Sequence, residues 1–228
     1  MQEAEFDCLV RQRIAAVDER IAAACGRAGR ARSEVTVVAV TKTISAELAR
    51  RVPGLGLSDL GENRPQELVR KAALLTDIPV IWHMIGHLQR NKIDLVLPIA
   101  TRIHAVDSLR LLDALEAAAA KSGVSVSVLL EVNASGEATK HGFAPAEVPA
   151  LDMAIAALRH VRVDGLMTMA APADDPEACR PTFRTLRKLR DRLGLRELSM
   201  GMTNDFEIAI EEGTTMVRLG SVYFEGCS

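Results

Sequence analysis

The sequence predicts a (β/α)8 barrel, and three observations carry that prediction. Eight short apolar segments alternate with helical ones, the order that builds a parallel sheet. Most of those segments are apolar throughout rather than at every second position, as strands covered on both faces are. Eight such units is also the number at which a parallel sheet of this kind closes. A doubly wound open sheet shares the alternation and is the rival arrangement.

In chain order, Phe6, Val10, Ile14, Val17 and Ile21 recur every three or four residues. That spacing marks an amphipathic helix, which should stop near Gly26 to Gly29. Residues 35–41, VTVVAVT, follow as the first strand. Residues 57–60 read as a strand, 62–75 as a helix, 80–85 as a strand and 87–92 as a short helix. Residues 101–106 form a strand, and 108–121 an alanine-rich helix with Ser108 placed to cap it. The strand at 124–132 is the richest in β-branched residues. After it come a helix at 145–158, a strand at 161–167, a helix at 176–193, a short strand at 197–199, a helix at 204–212 and a strand at 215–219. About nine residues follow residue 219, too few for a final outer helix, and the extra helix before the first strand would fill that place. No linker, repeat or low-complexity segment divides the sequence, so residues 1–228 are expected to form a single domain.

The bulk composition narrows the function. A chain of 228 residues with 48% hydrophobic and 25% charged residues has an ordinary globular balance. A net charge of −2 gives no global field toward nucleic acid or an anionic membrane, and neither is expected as a partner. The arginines at Arg27, Arg30 and Arg32, and at Arg184, Arg187, Arg190 and Arg192, read as solvated helix faces. Cys8, Cys25, Cys179 and Cys227 form no C-x-x-C pair, which suits free thiols in a reducing compartment. With the five histidines they show no zinc-ligand spacing, so no metal is expected. The start MQEAEFDCLVRQR is charged where a secretory signal is apolar, and no apolar stretch reaches membrane length. A cytoplasmic location is expected.

The first strand ends on Lys42. In a barrel of this type the chemistry sits at the carboxyl ends of the strands. If Lys42 points inward, so do Val38 and Val40 by two-residue alternation. A lysine desolvated at such a mouth favours its neutral amine, which can attack a carbonyl. The plain alternative is a surface lysine that merely follows the strand. Two later segments bear on the choice. In LSMGMTNDFE (198–207) a short strand ends at Ser199, Gly201 allows a tight turn, and a helix opens near Thr203 with free amides suited to an anion. In MVRLGSVYF (216–224) the strand ends at Gly220 and Ser221, a close-approach glycine beside a hydroxyl donor. A glycine turn with a helix cap explains either segment alone. Together with the lysine they point to a phosphorylated aldehyde.

These segments resemble the YggS/PROSC family, the pyridoxal 5′-phosphate (PLP) homeostasis proteins. The matching stretches are VAVTK (38–42), LGENRPQE (60–67), WHMIGHLQRNK (82–92), VDSLRL (106–111), LLEVNASGEATKHGF (129–143), GLMTM (165–169) and LSMGMTNDFEIAIEEGTTMVRLG (198–220). The resemblance implies a barrel like the alanine racemase N-terminal domain (PLP fold type III), with PLP held as a Schiff base. It places Lys42 at the PLP lysine and Ser199, Gly220 and Ser221 at phosphate-binding positions. Many relatives have threonine where this chain has Ser221. Arg218 falls where an arginine faces the pyridine nitrogen, Asn63 beside the cofactor, and Met200 at a backbone contact.

An arginine facing that nitrogen stays protonated and leaves the ring neutral, a poor sink for carbanion electrons. Asn63 could equally begin a helix before Pro65. His87 is a candidate base or a helix-starting residue, and His83 a filler of the barrel. Glu131 and Asn133 either line the cavity or order a loop. Lys140 is a solvated loop lysine or a second PLP site. Racemisation needs acid–base groups on both faces of the imine. Alanine racemases take the second from a tyrosine of the partner subunit and carry an extra β-domain. Tyr223 is the one tyrosine here, and the sequence is short for that domain. The expected function is therefore PLP homeostasis: holding, buffering or delivering PLP to PLP-dependent apo-enzymes, as a monomer and without robust turnover. The alternatives are a PLP-dependent amino-acid racemase or related lyase, and a lysine-imine aldolase acting on sugar phosphates.

Overall fold

Eight parallel strands close on themselves in chain order. The structure is a computed structural model describing residues 2–137 and 140–227. Helix α1 (Glu3–Arg27) precedes strand β1 (Thr36–Val40) and helix α2 (Ala46–Ala49). Next come β2 (Asp59–Glu62), α3 (Pro65–Leu74), β3 (Ile81–Met84), α4 (Ile93–Val96), β4 (Arg102–Val106) and α5 (Leu109–Ser122). The second half is β5 (Val126–Glu131), α6 (Asp152–Ala156), β6 (Val161–Met167), α7 (Arg180–Arg192), β7 (Glu197–Ser199), α8 (Phe206–Glu211), β8 (Met216–Leu219) and α9 (Ser221–Phe224). The open-sheet alternative is excluded by the pairing of β1 with β8, from Thr36↔Met216 to Ala39↔Leu219.

Alternation along each strand sorts the side chains. Val38, Ala105, Leu129, Met167 and Met216 meet inside the barrel, with Ile85 against them. Val37, Ala39, Leu60, Val128 and Val217 point outward into the layer shared with the helices. The closure is thinnest between β7 and β8, where the register shows one residue pair, Ser199↔Met216. Threonine side chains reinforce it. The Thr214 hydroxyl lies 2.9 Å from the carbonyls of Leu198, Met200 and Met216, and Thr215 Oγ1 accepts from Leu198 N at 2.9 Å.

Helix α1 does what its spacing predicts. Phe6, Val10, Val17, Ile21 and Ala24 are buried, and the helix ends at Arg27 before Gly29, which has φ +65°. It lies against α8 and α9. Phe6 stacks on Phe224 at 6.4 Å, and Arg13 Nη1 donates to the carbonyls of Tyr223 and Glu225 at 2.8 Å. The extra helix thus covers the flank of β8, whose own helix is only four residues long.

Four departures from the sequence reading have local causes. The helix expected at 145–158 is a 3-10 turn (Val148–Leu151) followed by α6, because Pro149 lacks the amide a continuous helix would need. The helix expected from 204 begins at Phe206, since Asp205 Oδ1 takes the Met202 amide at 2.6 Å and holds a turn. Helix α2, capped by Ser45 on Leu48 N at 3.3 Å, is too short to show a period. The arginine clusters are at least partly exposed at helix faces and ends as expected, but several of their members are paired rather than free. Arg184 and Arg180 donate to Glu212 Oε1 at 2.9 and 3.3 Å, and Arg187 lies 3.3 Å from Oε2. Arg27 pairs with Glu211 and Arg30 Nη1 donates to the Ile210 carbonyl, so both clusters tie helices to one another.

Truncating Phe6 opens a fully buried site. The Phe6→Ala variant is expected to lose about 3–5 kcal/mol in urea denaturation while its far-UV CD in the absence of denaturant keeps the native shape.

Candidate functional site

The carboxyl ends of the strands surround a cavity of about 950 Å³. Lys42, Asn63, Glu131, Arg218, Gly220 and Ser221 line it, together with His87, Thr203 and Asp205. Lys42 lies just past β1, on the same face as Val40, as alternation predicts. It is exposed in the cavity mouth, so the expected desolvation by an apolar rim is not what the structure shows. The backbone has already left the barrel interior at this point.

The lysine's position is fixed from behind. Thr41, the residue before it, is completely buried. Its hydroxyl donates to Glu62 Oε1 at 2.6 Å, its carbonyl accepts from Lys71 Nζ at 2.6 Å, and its amide donates to the Gly61 carbonyl at 3.1 Å. Lys71 Nζ also contacts Glu62 Oε1 at 2.5 Å, with both side chains at most 1% exposed. Such a pair offsets its desolvation only if it stays intact, and Glu62 Oε2 has no hydrogen-bond partner among the described residues. Lys71 falls on the buried stripe of α3 with Pro65 and Leu68. A lysine on that stripe was the sequence signal for this anchor.

Arg218 forms the floor. It is 5% exposed, with Nη1 donating to Ser199 Oγ at 2.6 Å and Nη2 to the Thr168 carbonyl at 3.1 Å. The chain of contacts continues away from the cavity. Ser199 Oγ lies 2.8 Å from His104 Nδ1, His104 Nε2 lies 2.9 Å from His83 Nδ1, and His83 Nε2 lies 3.0 Å from Asp59 Oδ1. A guanidinium can only donate, so Ser199 accepts from it and passes its own proton to His104 Nδ1. Both imidazoles then carry the proton on Nε2, and Asp59 accepts at the end. Burial, followed by the neighbouring His83, holds the His104 pKa well below the usual histidine range. Burial lowers the Arg218 pKa to about 10, which leaves it charged at neutral pH.

The third wall is made by hydroxyls on two turns. Gly201 has φ +96° and its missing Cβ would stand 2.6 Å from Ala209 Cβ, so the turn after β7 folds tightly onto α8. This brings Thr203 Oγ1 within 2.9 Å of Ser221 Oγ. At Gly220 a Cβ would meet the Val40 carbonyl at 3.1 Å. On the far side Gly86 packs against Asn63, whose carbonyl would be 2.3 Å from any Cβ there. Arg64, not Asn63, is the N-cap of α3, so Asn63 is left facing the cavity. The carboxylate of Glu131, a residue 5% exposed, makes no hydrogen bond among the described residues. Burial, then the charge of Asp107, raises its pKa. Burial likewise raises that of Asp205.

Comparison with known proteins places this geometry. The sequence profile described as alanine racemase, N-terminal domain, matches residues 13–226. The pyridoxal phosphate homeostasis protein of Aquifex aeolicus is 42% identical over 219 residues, 93% of this chain and 96% of its own length. The protein of the same name from Pseudomonas aeruginosa is 41% identical over 220 residues, 94% of each chain. PipY from Synechococcus elongatus, a structure with PLP bound, superposes with a TM-score of 0.82 at 30% identity, over 94% of this chain and 99% of that one. The chain belongs to the pyridoxal phosphate homeostasis protein family.

Of the seven site residues expected from the resemblance to this family, five line the cavity: Lys42, Asn63, Arg218, Gly220 and Ser221. Ser199 and Met200 lie one layer deeper. Ser199 faces inward, and its hydroxyl is taken by Arg218 and His104. Met200 faces the outer core, and its amide is used by the Met216 carbonyl at 3.2 Å and Thr214 Oγ1 at 3.3 Å. Thr203 is the hydroxyl that sequence reading passed over, although it sits where the helix-opening amides were expected. Asn133 orders a loop through Glu137 O and Gly136 N, whereas Glu131 faces the cavity. Lys140 is bonded to the Met169 carbonyl and Ser135. His83 is a link in the Arg218 chain rather than a filler.

Two outcomes follow from this geometry. Lys71→Met leaves Glu62 buried without a cation and should cost about 3–5 kcal/mol in urea denaturation. Adding Glu62→Gln should recover the larger part. His104, kept neutral in the fold, contributes full stability above the unfolded histidine value of about 6.5, and that stability falls as pH drops below it. Between pH 7.5 and 5.5 the wild type should lose about 1 kcal/mol more than His104→Asn.

Proposed function

We propose that this protein holds PLP at the barrel mouth and buffers or delivers it, without robust turnover of its own. The observation that carries the reading is the convergence on one cavity of an amine, a buried guanidinium and a paired-hydroxyl turn. The PLP aldehyde would be carried covalently on Lys42 Nζ. Arg218, fixed by Ser199 and the Thr168 carbonyl, would donate to the pyridine nitrogen and keep its own proton. Ser199 acts through Arg218, and Met200 through the turn it anchors. Thr203, Gly220 and Ser221 would hold the phosphate, where two hydroxyls and a close-packed backbone suit a charge-assisted anion contact. Asn63 would stand beside the ring.

The relatives' shared name and the PLP-bound PipY structure support this assignment. Support for a carrier over a racemase comes from Tyr223. It is 1% exposed in the layer between barrel and helices, beside Phe224. Burial pushes its pKa far up. A phenol so placed is no acid–base group for the cavity. PLP-dependent apo-enzymes are the proposed recipients, and the chain is proposed to act as a monomer. Among the described residues no helix is long and apolar enough to cross a membrane.

Incubation with PLP should give a visible absorbance band and one borohydride-stable adduct, on the peptide containing Lys42. Lys42→Ala should abolish both. Thr203→Val and Ser221→Ala should each weaken PLP binding by about tenfold or more, the worth of one hydrogen bond to a charged group. An adduct mapping only elsewhere would overturn the site. Rapid conversion of one enantiomer of a common amino acid would favour the racemase.

A further inference from the structure

We propose that His87, Asp107 and His141 form a binding site for a divalent first-row transition metal, with zinc as the probe, on the rim of the cavity. The three residues are far apart in sequence and show no motif. The closed sheet brings them together because they follow β3, β4 and β5, three adjacent strands. One donor atom from each lies within 4.8 Å of the others. His87 Nδ1 is 2.9 Å from Asp107 Oδ2, and the two imidazoles stack with centroids 5.0 Å apart and planes 24° from parallel.

The histidines are held by the backbone rather than left on free loops. His87 follows Gly86, where a Cβ would stand 2.3 Å from the Asn63 carbonyl. His141 precedes Gly142, which has φ +109° and whose Cβ would stand 2.7 Å from the Glu131 carbonyl. The next residue, Phe143, bonds its amide to that same carbonyl at 2.8 Å. Asp107 is 11% exposed, and its other oxygen accepts from Ser108 Oγ at 3.0 Å.

An independent observation points the same way. Glu131 ends β5, is 95% buried and lines the cavity, and its carboxylate makes no hydrogen bond among the described residues. A divalent cation held by Asp107 and the two imidazoles would offset the negative charge that Asp107 and the neighbouring Glu131 bring to this rim. Two imidazoles with carboxylate oxygens are a borderline donor set that suits zinc, cobalt or nickel rather than magnesium or calcium. The Asp107–His87 contact either chelates or fixes the ring's tautomer, as carboxylate partners of metal-bound histidines do.

The inference does not depend on PLP, and its test uses the full chain freed of metal with a chelator and without added PLP. Calorimetric titration with zinc should show one equivalent bound. Cobalt should give visible d–d bands of a protein-bound ion. His87→Ala, His141→Ala and Asp107→Asn should each weaken binding by at least about tenfold. The two histidines are exposed, so their removal is not expected to disturb folding, and circular dichroism checks this. His160→Ala, at a histidine paired with Glu116, and Cys8→Ser, at an exposed thiol, should leave binding unchanged. No zinc binding, or binding that survives both rim histidine substitutions, or binding lost with Cys8→Ser, would overturn the proposal.

Discussion

A guanidinium inside a barrel imposes conditions on everything around it. Among the described residues Arg218 has no carboxylate in contact, and its guanidinium donates to a hydroxyl and a carbonyl. It therefore needs a neighbour whose hydroxyl can hand a proton onward, and that neighbour needs an acceptor in turn. Ser199, His104, His83 and Asp59 satisfy this in sequence, each donor pointing away from the cavity. A buried polar chain of this kind is stable only when every member is paired. The positions of four strands are thereby coupled to one positive charge at the cavity floor.

The opposite wall is built on backbone contacts. Gly86 and Gly220 mark places where one turn presses on another strand's carbonyl, and Gly201 provides a left-handed bend that side chains disfavour. These contacts let Asn63, Thr203 and Ser221 face the cavity without support from long side chains. Lys42 depends on a different device, the buried Glu62–Lys71 pair gripping Thr41. Packed backbone thus sets each of these cavity-lining groups, while the Lys42 side chain itself is exposed at the mouth.

Much of this architecture was legible in the sequence. The eight strands and the N-terminal helix announced themselves by period and by β-branched runs, because each buries a continuous apolar face. Strands at 161–167 and 197–199 fell where the pattern put them. Elements of about one turn, such as α2 and α4, left no period to read, and the short helix expected at 87–92 is a 3-10 turn (Arg90–Lys92) that leads into α4. Pro149 broke a helix that apolar spacing alone would continue. At the site, Lys42, Gly220 and Ser221 could be found because strand ends and glycine turns carry local signals, whereas Arg218 was marked by the family resemblance. His87, Asp107 and His141 could not be grouped, since their proximity comes from barrel closure rather than spacing. The sequence shows a hydroxyl at Ser199 but not its contacts with Arg218 and His104, which come from packing inside the barrel.

The single-pair closure between β7 and β8 has a consequence for dynamics. Each of these strands leads into one of the turns whose hydroxyls meet at Thr203 and Ser221. Any anion that bridges those hydroxyls fastens the barrel across its narrowest ladder. Occupancy and local breathing are then thermodynamically linked: the ligand raises the free energy of opening in proportion to the logarithm of its concentration over its dissociation constant. Slow amide exchange along 198–200 and 215–217 would be the signature of a filled mouth.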